Sequence, residues 1–199
     1  MPYNPEIHHR RSVRLQGYDY SREGLYFITI CTLDKLCLFG EIVETQMVLN
    51  ELGETVNKYW LEIPEHFPNA ILHEFVIMPN HLHGIIELKS TNVGVQNFEP
   101  LRELQIPKIN QYQKIIPRSI GSIVRGFKIG VTKWYRDKIK FVLENKMPKE
   151  GYLQISIYGN KIWQRNYHEH IIRNEQSYLT ISNYIINNPL NWKEDRFYI

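Results

Sequence analysis

Two β-forming runs lie almost end to end in this chain. "AILHEFVIMP" (Ala70–Pro79) meets "HLHGIIEL" (His81–Leu88) across the turn-forming pair Pro79–Asn80. A parallel crossover needs a dozen or more residues, and none are available here. The two runs are therefore predicted to pair antiparallel as a hairpin, and the rest of the chain must be arranged around it.

"LYFITICTL" (Leu25–Leu33), bounded by Gly24 and Asp34, reads as a further buried strand, and "LFGEIV" as a short strand or turn. "TQMVLNELGETVNKYWLEI" carries Val48, Leu49, Leu52, Val56 and Trp60 at helical spacing, with Thr45 as a cap and Pro64 and Pro68 as stops. In the next helix, from Ser119 as cap, Ile120, Ile123, Val124, Phe127, Val131, Trp134 and Tyr135 make an apolar stripe. "KIWQRNYHEHIIR" (Lys161–Arg173) reads as the fourth strand. "NEQSYLTISNYIINNP" (Asn174–Pro189) is a last helix, capped by Asn174 and stopped by Pro189. The order β-α-β-β-α-β-α predicts an α+β chain. Its first six elements match a ferredoxin-like split βαβ, an antiparallel sheet with helices on one face, and an extra C-terminal helix follows. Residues 1–199 read as one domain. A basic arm spans 1–24, a polar insertion 89–118 and a short tail 190–199.

Composition narrows the function classes without choosing among them. Apolar residues make up 43%, as in ordinary globular chains, and 24 basic against 21 acidic residues leave a net charge of +3. That charge permits a nucleic-acid partner without requiring one. Cys31 and Cys37 have neither metal-site nor redox spacing, so two free thiols in a reducing cytoplasm are expected. The opening residues lack the apolar run of a signal peptide, and every apolar stretch is too short to span a bilayer, so no membrane role is expected. "GSIVRG" lacks the Lys-Ser/Thr of a phosphate-binding loop.

The chemistry is concentrated in "MPNHLHGII". His81 and His83 flank one leucine, so on a strand they point to the same face, roughly 6.5–7 Å apart along the backbone. They can converge on one ion, or they can be hydrogen-bonded fillers of a sheet face. Two imidazoles name no metal without a third ligand. The last helix offers one, because Tyr184 and Asn188 stand one turn apart on one face. The Asn188 amide oxygen suits a hard cation, and Tyr184 would place a phenol beside it. Packing is the competing role for Tyr184, and Tyr135 is a rival phenol inside the preceding helix. His168 and His170 repeat the same spacing in "NYHEH", as lining of the same sheet or as packing.

"MPNHLHGII" resembles the histidine-hydrophobe-histidine signature of the IS200/IS605-like single-strand transposases. "WQRNYHEHIIRNEQSYLTISNYIINNP" is similar to the C-terminal signature of the REP-associated tyrosine transposases, a branch of that superfamily. The resemblance runs from the first strand through the last helix, with the insertion outside it. It implies that His81 and His83 bind Mg²⁺ or Mn²⁺, that Asn188 is the further metal ligand, and that Tyr184 is the nucleophile. It implies cleavage of single-stranded DNA, with the tyrosine joined to the 5′ phosphate and a 3′ hydroxyl set free. The implied partner is single-stranded or hairpin DNA, with a homodimer as one possible assembly.

A DNA surface is expected where Arg125, Lys128, Lys133, Arg136 and Lys140 gather opposite the apolar stripe. Arg165 and Arg173 flank the fourth strand near the place a cleaved phosphate would lie, and Arg10 and Arg11 in "HHRRSVR" suit the grip on a hairpin stem. Three function classes follow. One is a metal-dependent strand-transfer enzyme. Another is a domesticated, non-catalytic hairpin-binding module of the same fold. The third is a phosphoesterase for a small substrate, which would need a compact pocket. The joint presence of His81, His83 and Tyr184 favours the first.

Overall fold

The computed structural model describes residues 18–90, 116–145 and 161–199. Arg10 and Arg11, with most of the basic arm and most of the polar insertion, lie outside the described residues. Strand β1 (Gly24–Cys31) is followed by a small hairpin, β2 (Gly40–Val43) and β3 (Gln46–Leu49), then by helix α1 (Glu51–Leu61) and the single turn α2 (Ile63–His66). Strands β4 (Ala70–Met78) and β5 (His81–Leu88), helix α3 (Ile120–Glu144), strand β6 (His168–Ile172) and helix α4 (Glu175–Asn187) complete the described chain. The main sheet is antiparallel throughout, in the order β4-β5-β1-β6. β4 and β5 form the predicted hairpin, closing at the Met78–His81 pair.

Several boundaries differ from the sequence expectation: β1 ends at Cys31 rather than Leu33, and Pro64 is not the stop of α1, which ends at Leu61, but sits inside the turn α2. Gln46–Leu49 is a strand, not the first turn of α1, and Thr45 is not its cap. Glu44 and Thr45 adopt left-handed backbone (φ 48° and 66°), which makes a two-residue hairpin turn whose twist matches the flanking strands. The cap is Asn50, whose side-chain oxygen accepts from the Gly53 amide at 2.9 Å. The fourth strand is also shorter than expected, beginning at His168. The Lys128 ammonium donates to the carbonyls of Gln164 (2.9 Å) and Asn166 (3.0 Å), which turns those groups toward α3 rather than into a ladder.

Strand alternation divides the sheet into two unlike faces. Tyr26, Ile28 and Ile30 of β1 and Leu82, Ile86 and Leu88 of β5 pack with Val56 and Trp60 of α1 and the stripe of α3. Phe27 and Ile85 face the other way, onto Ile185 of α4. So α1 and α3 cover one face, and the extra C-terminal helix covers the other. Gly84 lies on the core side of β5, where any Cβ would clash with the Trp60 ring.

The phase of β4 changes at a bulge between Leu72 and Phe75, which pair with Ile86 and Gly84. Leu72 and Phe75 both reach the core, while His73 and Glu74 both bond α4 residues. Gly84→Ala is expected to lower the unfolding free energy by about 1–3 kcal/mol, as overpacking does. Urea denaturation measures this, and an unchanged midpoint would show that Trp60 can yield.

Candidate metal and nucleophile site

The odd-numbered positions of β5 bring His81 and His83 onto the α4 face, with ring centroids 4.4 Å apart and no exposed surface on either residue. Each Nδ1 has a local partner. His81 Nδ1 lies 2.8 Å from Asn80 Oδ1, and His83 Nδ1 lies 2.9 Å from the hydroxyl of Thr29, its cross-strand neighbour. The Nε2 atoms point into the site. That of His83 is 3.1 Å from the Tyr184 hydroxyl, and that of His81 is buried and makes no hydrogen bond of good geometry.

Helix α4 starts at Asn174, whose side chain accepts from the Ser177 amide at 2.8 Å. Its seat on the sheet comes from the β4 bulge. Tyr178 donates to Glu74 Oε2 at 2.9 Å, Ser182 donates to the same oxygen at 3.1 Å, and His73 lies 3.2 Å from the Tyr178 hydroxyl. Further along the helix, Tyr184 and Asn188 arrive over the histidines. A residue outside the sequence-derived set joins them there. Asp195 follows a short turn, Trp192–Glu194, and its Oδ2 accepts from Tyr184 (3.1 Å) and from Asn188 Nδ2 (2.8 Å). Its Oδ1 accepts from the Phe197 amide at 2.7 Å, and the Phe197 ring lies over His81 with centroids 4.5 Å apart.

Burial sets the electrostatics. It holds the His81 imidazole down to about 4, against a weaker upward pull from Asp195. His83 is held well below its ordinary value, first by burial and then by His81. Both rings are therefore neutral near pH 7 and keep a lone pair. Burial, then the Asp195 charge, pushes the Tyr184 phenol up to about 12, so it stays protonated.

His81, His83 and Asp195 each offer a ligand atom, and these atoms all lie within 4.8 Å of one another. Two buried polar atoms beside them, His81 Nε2 and Asn188 Oδ1, make no hydrogen bond of good geometry, although the Asn188 amide stands near enough to His81 to pull its imidazole upward. Leaving such groups unpaired is costly, and a cation would satisfy both. Two imidazoles, a carboxylate and an amide oxygen form a donor set that divalent ions accept, so the residues fit a metal site.

The structure brings His81, His83, Tyr184 and Asn188 together. Tyr135 packs in the core on the opposite face of the sheet, with Ile28 and Ile30. Arg125, Lys133, Arg136 and Arg165 line a groove of about 910 Å³ between α3 and the segment before β6, together with Lys128. Lys128 spends its ammonium on the two carbonyls above, and burial lowers it to about 8. Lys140 is exposed and pairs with Glu144 at 3.8 Å, and Arg173 is exposed at the end of β6. His168 pairs with Thr29 on β1, which puts it in one cross-sheet row with His83, and His170 pairs with Phe27.

Because both imidazoles are buried neutral, the unfolded chain takes up their protons first as pH falls below the ordinary value of 6.5. Their contribution is complete above 6.5 and is lost as pH falls toward 4. Urea unfolding at pH 5 is expected to give a free energy about 2 kcal/mol or more below that at pH 7. Equal values would contradict neutral burial.

No family model matches the chain. An uncharacterized protein of Haemophilus influenzae is 48% identical over 198 residues, spanning 99% of this chain and 97% of its own. Among solved structures, a REP-associated tyrosine transposase bound to a REP hairpin superposes with a TM-score of 0.50 and 17% identity, over 90% of this chain and 74% of its own. At that identity the likeness is one of fold, and it is the fold expected from the sequence. The chain thus belongs to one family with the Haemophilus influenzae protein, and it shares its fold with the REP-associated tyrosine transposase.

Proposed function

We propose that the protein is a cytoplasmic, metal-dependent nicking and joining enzyme for single-stranded DNA, acting on hairpin-forming repeats through a 5′-phosphotyrosine. The observation that carries this reading is the Tyr184 hydroxyl, 3.1 Å from His83 Nε2 and 3.1 Å from Asp195 Oδ2, beside a group of side chains able to hold a cation. Tyr184 is 41% exposed although both histidines are fully covered, so its phenol can meet a strand that the imidazoles cannot. The fold shared with a transposase bound to a REP hairpin supports the choice of substrate.

His81, His83 and Asp195, with Asn188 Oδ1, would hold the ion, Mg²⁺ or Mn²⁺. Bound there, it would supply positive charge for the scissile phosphate and lower the cost of a phenolate. Tyr184 Oη then forms the bond to phosphorus as the bond from phosphorus to the 3′ oxygen breaks. The phenol proton passes to solvent, which Tyr184 reaches through its exposed edge. The departing 3′ oxygen takes a proton from solvent. A second 3′ hydroxyl reverses these steps and rejoins the strand. Arg125, Lys133, Arg136 and Arg165 would hold phosphates of the flanking strand along the α3 groove, without reading sequence. Tyr167, also in that groove, offers a ring for an unpaired base.

One observation favours a second reading. His81 and His83 have no exposed surface, and Phe197 lies against both rings. A hairpin-binding module that no longer cuts would tolerate that cover. Incubation with labelled hairpin oligonucleotides and Mg²⁺ or Mn²⁺ separates the two. The native chain and Tyr135→Phe are expected to form a covalent protein–DNA adduct, and Tyr184→Phe and His81→Ala to form none. Hairpin binding without any adduct would establish the module, and an adduct in Tyr184→Phe would overturn the assignment of the nucleophile.

A further inference from the structure

Asn80 fills the two-residue turn between β4 and β5 and is 1% exposed. A turn asparagine ordinarily bonds its own turn. This one bonds remote segments instead. Its Nδ2 donates to the carbonyl of Lys35 at 3.0 Å, 45 residues away, and to that of Phe197 at 2.8 Å, 117 residues away. Its backbone carbonyl accepts from the amide of Thr32 at 2.9 Å, and the Thr32 hydroxyl lies between this carbonyl (2.9 Å) and that of Leu36 (2.8 Å).

These partners fix the side chain without ambiguity. Backbone carbonyls only accept, so the end of the amide that faces Lys35 and Phe197 must be nitrogen. The opposite end is oxygen, which also only accepts. The ring nitrogen beside that oxygen, His81 Nδ1 at 2.8 Å, must therefore carry the proton. A neutral imidazole has one such proton, so Nε2 keeps the lone pair. Nε2 is the buried atom that makes no hydrogen bond of good geometry, with the Asn188 amide beside it.

The same amide also reaches the third candidate ligand. It holds the Phe197 carbonyl, and the Phe197 amide donates to Asp195 Oδ1 at 2.7 Å. One side chain thus orients the His81 ring directly and the Asp195 carboxylate through a single residue. We propose that Asn80 is a positioning residue that locks His81 in its Nδ1-protonated tautomer and ties that tautomer to the seat of the segment bearing Asp195. This rests on His81 and Asp195 as metal ligands, and it is independent of the DNA chemistry.

The test uses the full chain and two variants. Asn80→Asp keeps the acceptor facing His81 and loses both donated bonds, and Asn80→Ala loses all three. Nitrogen NMR of the histidine rings is expected to show His81 protonated at Nδ1 in the native chain and in Asn80→Asp. In Asn80→Ala the lone pair is expected to be shared between the two nitrogens, with Mn²⁺ affinity lower by about 10–100-fold. Amide exchange at Phe197 should quicken in both variants. Protonation at Nε2 in the native chain, or loss of the Nδ1 tautomer in Asn80→Asp, would overturn the proposal. So would native tautomer and affinity in Asn80→Ala, or native exchange in Asn80→Asp. If Asn80→Ala fails to fold, the native spectrum and Asn80→Asp decide. A native chain that binds no Mn²⁺ would remove the metal reading, and the spectrum would still decide the tautomer.

Discussion

Two imidazoles buried side by side cannot both be charged, and each must find partners for its ring nitrogens. That requirement organises this protein. β5 is covered on both faces along most of its length, so its alternation leaves His81, His83 and Ile85 no route to solvent. Leu82 and Gly84 are held on the other side by the core, Gly84 directly under the Trp60 ring. The strand cannot slip by one residue without driving both histidines into that core. Thr29 and Asn80 then satisfy the two Nδ1 atoms, and the Nε2 atoms are left facing α4 and the tail.

The layers above the histidines follow from this. A helix laid on a polar patch needs its own anchors, and the bulge in β4 supplies them by sending His73 and Glu74 toward Tyr178 and Ser182. With α4 fixed, Tyr184 and Asn188 lie where one carboxylate can bind both. Asp195 brings the tail in, and Phe197 closes over the rings. The electropositive groove lies on the other side of the edge strand β6, along α3. A strand of DNA bound in that groove would have to pass this edge to reach Tyr184.

Much of this architecture was legible in the sequence because it rests on local periodicity. The hairpin, the stripe of α3, the caps at Ser119 and Asn174, and the common face of Tyr184 and Asn188 all follow from spacing within one element. Asp195 left no such signal. It lies in "LNWKEDRFYI", which has no period, and its role depends on a tail folding back over a strand more than a hundred residues earlier in the chain. Asn80 was visible only as a turn residue, since the bonds its amide nitrogen donates go to distant backbone. Lys128 belonged to a basic stripe by spacing, but its ammonium is used to shape the segment before β6. Gln46–Leu49 suits a helical period, and only the left-handed turn before it makes it a strand.

The central claim is that His81 and His83 share one cation with Asp195, under the Tyr184 phenol. Electron spin echo spectroscopy of the Mn²⁺-loaded full chain tests it most directly. Modulation from two histidine nitrogens is expected in the native protein and from one in His83→Asn, with weaker Mn²⁺ binding in Asp195→Asn. A Mn²⁺ signal without histidine nitrogen modulation would contradict it.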